Sequence, residues 1–189
     1  MANGLDELLD FLVIDSVYIW ASSYAAWWAP AFASKFPTRL RGLWLSNTFI
    51  DGDDVKNISL FNLEWLNSST SEQVILTWLA FVKSRPTSEL KDLQIHMLLH
   101  GLTAEQFHNR LKRVATAVAI PPVLNVSNLV VCECDDDTLM SPITRARVRS
   151  AYPNARHVKM KSGGHYPHVV NIEEILPNFI NWLGLDSPK

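Results

Sequence analysis

Residues 16–26 read SVYIWASSYAA. The β-branched and aromatic run Ser16–Trp20 is a strand signal. The Ala- and Trp-rich stretch 24–36 reads as a helix that Pro37 stops, with Pro30 straining its early turns. Between them stands Ala21-Ser22-Ser23-Tyr24-Ala25, a serine on a strand-to-helix turn with a small residue two before it and two after it. That is the form of a nucleophile elbow, G-x-S-x-G, with Ala in both Gly positions. Small residues there avoid clashes in the tight turn, and Ala is less permissive than Gly. On this reading Ser23 is a nucleophile and the Tyr24 backbone N–H supplies one oxyanion donor. A serine pair capping an ordinary helix is the competing reading of the same residues.

Outward from that turn, strands and helices alternate. Leu5, Leu8, Leu9 and Leu12 keep helical spacing over residues 5–13, and Leu43-Trp44-Leu45 is a short second strand. From Asp51 to about Ile120 the pattern is helical in several pieces, broken at Pro86, Gly101 and Pro121-Pro122. Asn128–Cys134 (NLVVCEC) is an apolar strand. Ser141-Pro142 starts a helix over 142–151, with a good cap followed by Pro at the first helical position. His157–Met160 is a further strand, and Ile172, Ile175, Leu176, Phe179, Ile180 and Leu183 fit a closing amphipathic helix. This order predicts an α/β fold, a mostly parallel sheet with flanking helices. The helical insert at 51–120 interrupts the alternation and reads as a lid or cap.

Two more pieces follow strands, where open parallel sheets bind ligands. After NLVVCEC comes Glu133-Cys134-Asp135-Asp136-Asp137, in which a carboxylate can orient a histidine, or else form a solvated acidic loop or a helix-start cluster. After the last strand comes Ser162-Gly163-Gly164-His165-Tyr166-Pro167, whose paired glycines allow an unusual backbone path that carries His165 to the sheet edge. A Gly-rich turn with an incidental histidine is the plainer alternative. His168 competes with His165 but lacks the preceding glycines. His96 and His100 are four apart and can share a helix face, without the Glu of a zincin pattern. Trp27, Trp28, Trp44, Trp65 and Trp78 are expected to pack the core or the insert.

The bulk numbers exclude several classes. The 189 residues suit one domain, and 48% hydrophobic with 19% charged residues allows a real core. A net charge of −2 and the absence of a basic stripe argue against a nucleic-acid partner. No apolar run has the length of a membrane span. Asp6, Glu7 and Asp10 near an N-terminus without basic residues argue against a secretory signal. Cys132 and Cys134 face the same side of one strand and make no disulfide framework, which favours a reducing compartment. Sequons stand at Asn57, Asn67 and Asn125. The residues imply no cofactor and no metal.

Three segments, ELLDFLVIDSVYIWASSYAA (7–26), RLRGLWLSNTFID (39–51) and SAYPNARHVKMKSGGHYPHV (150–169), resemble the maspardin family of the α/β-hydrolase superfamily. SNTFID and YPNAR with the following GG carry the resemblance most specifically; the insert at 55–120 carries little of it. The Ser, Asp, His order is that of the superfamily's triad. The resemblance implies Ser23 as nucleophile, His165 as base, and Asp136 or Asp137 as acid. Ungapped alignment to the family gives Asp136, whereas the general hydrolase spacing gives Asp137. His165 stands where that family has Asn, a step toward an active hydrolase. Ala21 and Ala25 stand where it has Gly, a step away. The resemblance further implies a partial fold lacking the superfamily's N-terminal strands and the loop that gives the second oxyanion N–H. The nucleophile strand is then an exposed apolar edge. Two functions follow: a serine hydrolase acting on an ester or acyl substrate, or a non-catalytic adaptor that binds a partner protein in endosomal trafficking, cytoplasmic with peripheral membrane association. A truncated inactive isoform is a third.

Overall fold

A computed structural model describes residues 1–122, 126 and 128–185, so the sequon at Asn125 lies outside the described residues. The chain divides into two compact units, one of residues 1–50 and 119–185 and one of residues 51–118.

Among the described residues the first unit is built on four strands, β1 (Val17–Ser22), β2 (Leu40–Ser46), β3 (Leu129–Cys134) and β4 (Arg156–Met160). They pair in the order β1-β2-β3-β4, and all three pairings are parallel. Every residue of β3 is buried, as expected of a parallel strand covered on both faces. The period of two sorts the side chains cleanly. Ala21, Leu43, Leu45, Leu129 and Val131 form one core layer with Ala26, Ala29 and Ala33 of helix α2 (Tyr24–Lys35). Val148 and Tyr152, from and just after a helix at Pro142–Ala151, complete that layer. Trp44, Val130, Cys132, Cys134, Val158 and Met160 face the other way, onto Ile175 and Trp182 of the closing helix Ile172–Trp182. Cys132 and Cys134 thus share a face, and both thiols are free. Burial pushes each thiol up to about 12, so neither is a ready nucleophile.

Local differences from the sequence reading have physical causes. Helix α1 runs Ala2–Phe11, three residues earlier than its leucine spacing indicated. β1 continues through Ala21 and Ser22, because backbone pairing with Leu45 and Ser46 outlasts the aromatic run. Pro30 is buried within α2, which continues to Lys35. Among the described residues β1 pairs with β2 alone. Its side chains are partly covered: Trp20 packs on Phe179 at 4.8 Å and Tyr18 meets Trp182 edge-on at 5.3 Å. Gly42 makes room for this, since a Cβ there would lie 2.8 Å from the Tyr18 ring.

The second unit is helical: α3 (Leu63–Ser68), α4 (Ser71–Ser84), α5 (Glu89–His96) and α6 (Ala104–Ala115). Leu66, Val74, Val82, Leu98, Phe107 and Leu111 form its core, flanked by Trp65 and Trp78. Capping boxes at Thr70/Gln73 and Thr103/Gln106 set where α4 and α6 begin. The first of these starts marks a break that no Pro or Gly announces. His96 and His100 are exposed in this unit, their rings 5.0 Å apart. In the first unit the helices after β3 and β4 are α7 (Pro142–Ala151), α8 (Pro167–Val170) and α9 (Ile172–Trp182). No helix among the described residues is long and apolar enough to cross a membrane.

Candidate active site

Ser23 sits where β1 gives way to α2, with φ +55° and ψ −120°. A non-glycine residue at positive φ costs about 1–3 kcal/mol and persists only where its surroundings impose it. Here they do. The Ser23 N–H donates to the Ser46 carbonyl of β2 at 2.9 Å, and the Ser23 carbonyl accepts from Trp27 N–H at 3.1 Å, starting the helix. The side chain makes no capping bond to the helix. The turn forms with Ala21 and Ala25 in the positions where glycine is usual.

The loop after β3 separates the three aspartates. Asp135 is half exposed and pairs with Lys159 at 3.2 Å. Asp136 turns toward the glycine loop: its carboxylate accepts from Gly164 N–H at 2.8 Å and Gly163 N–H at 3.2 Å. Asp137 is buried. Its Oδ1 accepts from the N–H groups of Leu139 at 2.8 Å and Met140 at 3.1 Å, and its Oδ2 accepts from Asn47 Nδ2 at 2.8 Å. Arg145 of α7 stiffens this loop from behind, donating to the Met140 carbonyl at 2.6 Å and the Asp135 carbonyl at 3.3 Å.

His165 follows two glycines with φ +136° and +57°, conformations that suit residues without a Cβ. That path leaves the residue 8% exposed. Nδ1 lies 2.9 Å from Asp137 Oδ2, and Nε2 lies 2.8 Å from Ser23 Oγ. A carboxylate only accepts, so Nδ1 carries the proton and Nε2 is left to accept from the serine hydroxyl. The structure therefore brings Ser23, His165 and Asp137 into one hydrogen-bonded line, and places Asp136 outside it. His168 stands apart against Trp20, ring centres 5.2 Å apart. Burial, with the charge of His165 added, holds its pKa below the ordinary histidine value.

Burial alone would raise the Asp137 carboxyl. The hydrogen bond and charge of His165, then the Asn47 and Met140 bonds, outweigh it and hold the carboxyl below its usual value. A depressed folded value contributes stability above the unfolded carboxylate value of about 4 and loses it as pH falls through the lower folded one. Urea unfolding from pH 7 to pH 2 is expected to show a loss of stability below about pH 4 that Asp137→Asn does not share. Parallel profiles for the two proteins would contradict this.

Asn47 is the residue that sequence reasoning left without a role. It follows β2 directly, inside the segment SNTFID, and is 2% exposed. A buried amide just beyond a strand's carboxyl end was the available signal.

No family model matches the chain. Among curated proteins, zebrafish (Danio rerio) maspardin is 25% identical over 179 residues, covering 92% of this chain and 57% of the relative. The chain is maspardin-like. It spans a little over half the length of the curated relatives it matches. Solved structures supply the fold. A thermophilic esterase from Thermogutta terrifontis matches with a TM-score of 0.72 at 18% identity, covering 97% of this chain and 70% of that one. An esterase from Exiguobacterium antarcticum matches with a TM-score of 0.73 at 11% identity, covering 97% and 72%. The maspardin-like chain thus has an α/β-hydrolase fold, represented by a four-stranded parallel part of the sheet with its flanking helices.

Proposed function

We propose that this chain is a serine hydrolase acting on an ester or acyl substrate, with Ser23 as nucleophile, His165 as general base and Asp137 as the orienting acid. The observation that carries the reading is the continuous line from Ser23 Oγ through the imidazole to the Asp137 carboxylate, at 2.8 and 2.9 Å. Ser23 Oγ attacks the acyl carbonyl carbon while its proton passes to His165 Nε2. Asp137 stays ionised and stabilises the imidazolium. The same proton then goes to the leaving alcohol; water, deprotonated by His165, attacks the acyl carbon, and His165 returns that proton to Ser23 Oγ as the acyl–oxygen bond breaks and the acid leaves. In this reading the N–H of Tyr24, the first residue of α2 and next in sequence to the nucleophile, is one oxyanion donor. In the same reading the helical segment inserted between β2 and β3, residues 51–120, is a lid or cap insert.

A fluorophosphonate probe tests the reading. It is expected to leave one covalent adduct, which peptide mass spectrometry maps to Ser23. Absence of an adduct on folded protein, or an adduct on another serine, would overturn it. A second reading, a partner-binding scaffold, is supported by the maspardin likeness over 92% of the chain and by Ala21 and Ala25 in the elbow. On that reading pull-down of partners is indifferent to His165→Ala.

A further inference from the structure

We infer that Asn47 is a positioning residue that clamps the acid and the base of the proposed hydrolase site to each other. The inference rests on the hydrolase reading above and assigns a role to a residue which that reading leaves unused.

Each end of the Asn47 amide has its partners. Nδ2 donates to Asp137 Oδ2 at 2.8 Å and to the Gly164 carbonyl at 3.0 Å. Oδ1 accepts from Ser46 Oγ at 3.0 Å. The orientation is fixed by chemistry, because a flipped amide would set its oxygen against a carboxylate and a carbonyl. One side chain beyond β2 therefore joins the loop beyond β3, which carries Asp137, to the loop beyond β4, which carries His165. Both bonds act on the base. The first shares Oδ2 with His165 Nδ1, so the acceptor that orients the ring is itself held. The second holds the peptide immediately before His165, from which the imidazole projects. Donation to Asp137 also tempers the basicity of the carboxylate and keeps the shared proton on the ring. The titratable and charged groups facing this cluster are Asp136, Asp137 and Cys134 from β3 and its loop, Arg145 from α7, His165 and Tyr166 from beyond β4 and Glu174 from α9, with His168 acting on His165 from farther off.

A simpler explanation exists. Asn47 has φ +48°, and Asn tolerates that region better than most residues. Asn47→Gly separates the two, since glycine keeps the backbone and removes only the amide. If Asn47 serves the backbone alone, this substitution is neutral. If it clamps, Ser23 labelling by the fluorophosphonate slows about tenfold to a hundredfold, as small misplacements of a base do. The pH midpoint of labelling, and the His165 titration followed by NMR without any probe, both move upward. Ser46→Ala retains Asn47 but frees its amide to rotate, and is expected to produce smaller changes in the same directions. Should Asn47→Gly fail to fold, Ser46→Ala decides by the same readouts. Labelling within twofold of wild type with an unmoved His165 titration overturns the inference. If the wild-type protein takes no label, the hydrolase reading fails, while the NMR titration still decides whether Asn47 holds the Asp137–His165 pair.

Discussion

Replacing Asp137 by Asn is expected to slow Ser23 acylation by about 10⁴-fold at neutral pH, with little change in fold. The reason is the tautomer. Two backbone N–H groups, from Leu139 and Met140, converge on Oδ1 and would retain the oxygen of an Asn amide there. The NH₂ group would then occupy the place of Oδ2, facing both the Asn47 NH₂ and His165 Nδ1. Nδ1 would have to accept, the ring proton would move to Nε2, and the nitrogen facing Ser23 Oγ would no longer take a proton. Asp136→Asn makes the same charge change one residue away. It disturbs only the carboxylate that receives the Gly163 and Gly164 N–H groups, so its expected cost is about tenfold or less. Second-order rates of fluorophosphonate labelling compare the two directly. A larger loss in Asp136→Asn would transfer the acid's role to Asp136.

The fold was legible because burial on both faces leaves a pattern. β3 is wholly apolar apart from Glu133, and the run NLVVCEC reads as a covered strand without any partner in view. Ser141-Pro142 announced α7 to the residue, since the cap and the proline act locally: Ser141 Oγ accepts from Thr144 N–H at 3.0 Å. Where the cause is not local, the reading stopped short. β2 extends from Leu40 to Ser46, beyond its three-residue apolar centre, because β1 pairs along its length and β3 pairs from Leu43 to Ser46. The break between α3 and α4 falls in a run of polar residues, where the capping box at Thr70 and Gln73 was the only marker.

The candidate site was legible as positions and illegible as partners. Each of its loops follows a strand, and that much is sequential information. The choice between Asp136 and Asp137 is different. Adjacent residues in a loop share composition and spacing, and only the backbone path decides which carboxylate turns inward. Here Asp137 turns in and is 5% exposed, while Asp136 turns to the glycine amides. Asn47 illustrates the same limit. It is separated from Asp137 by 90 residues and from Gly164 by 117, and nothing near it in sequence names either partner.

The paired glycines look alike in sequence and are expected to respond differently to the same substitution. At Gly163, with φ +136°, an added Cβ would lie 2.8 Å from Pro167 Cβ, 3.1 Å from Pro167 Cα and 3.2 Å from Cys134 Sγ. Neither neighbour yields easily: Pro167 is a rigid ring at the first position of α8, and Cys134 is fully buried in β3. Backbone strain of about 1–3 kcal/mol adds to overpacking of about 1–3 kcal/mol, so Gly163→Ala is expected to destabilise the protein by about 3 kcal/mol. At Gly164, with φ +57°, a Cβ meets nothing within 4 Å. Only the left-handed backbone then matters, and Gly164→Ala should cost about 1 kcal/mol. Urea unfolding of the two variants measures the difference, and equal losses would show that contact with Pro167 and Cys134 does not govern this turn. The consequence reaches the chemistry. Relief of the Gly163 clash requires the loop to move away from Cys134, which draws its N–H from Asp136 and shifts His165, two residues later, off the line between Ser23 and Asp137. Gly163→Ala should therefore lose Ser23 labelling even at temperatures where it remains folded, and Gly164→Ala should keep most of it.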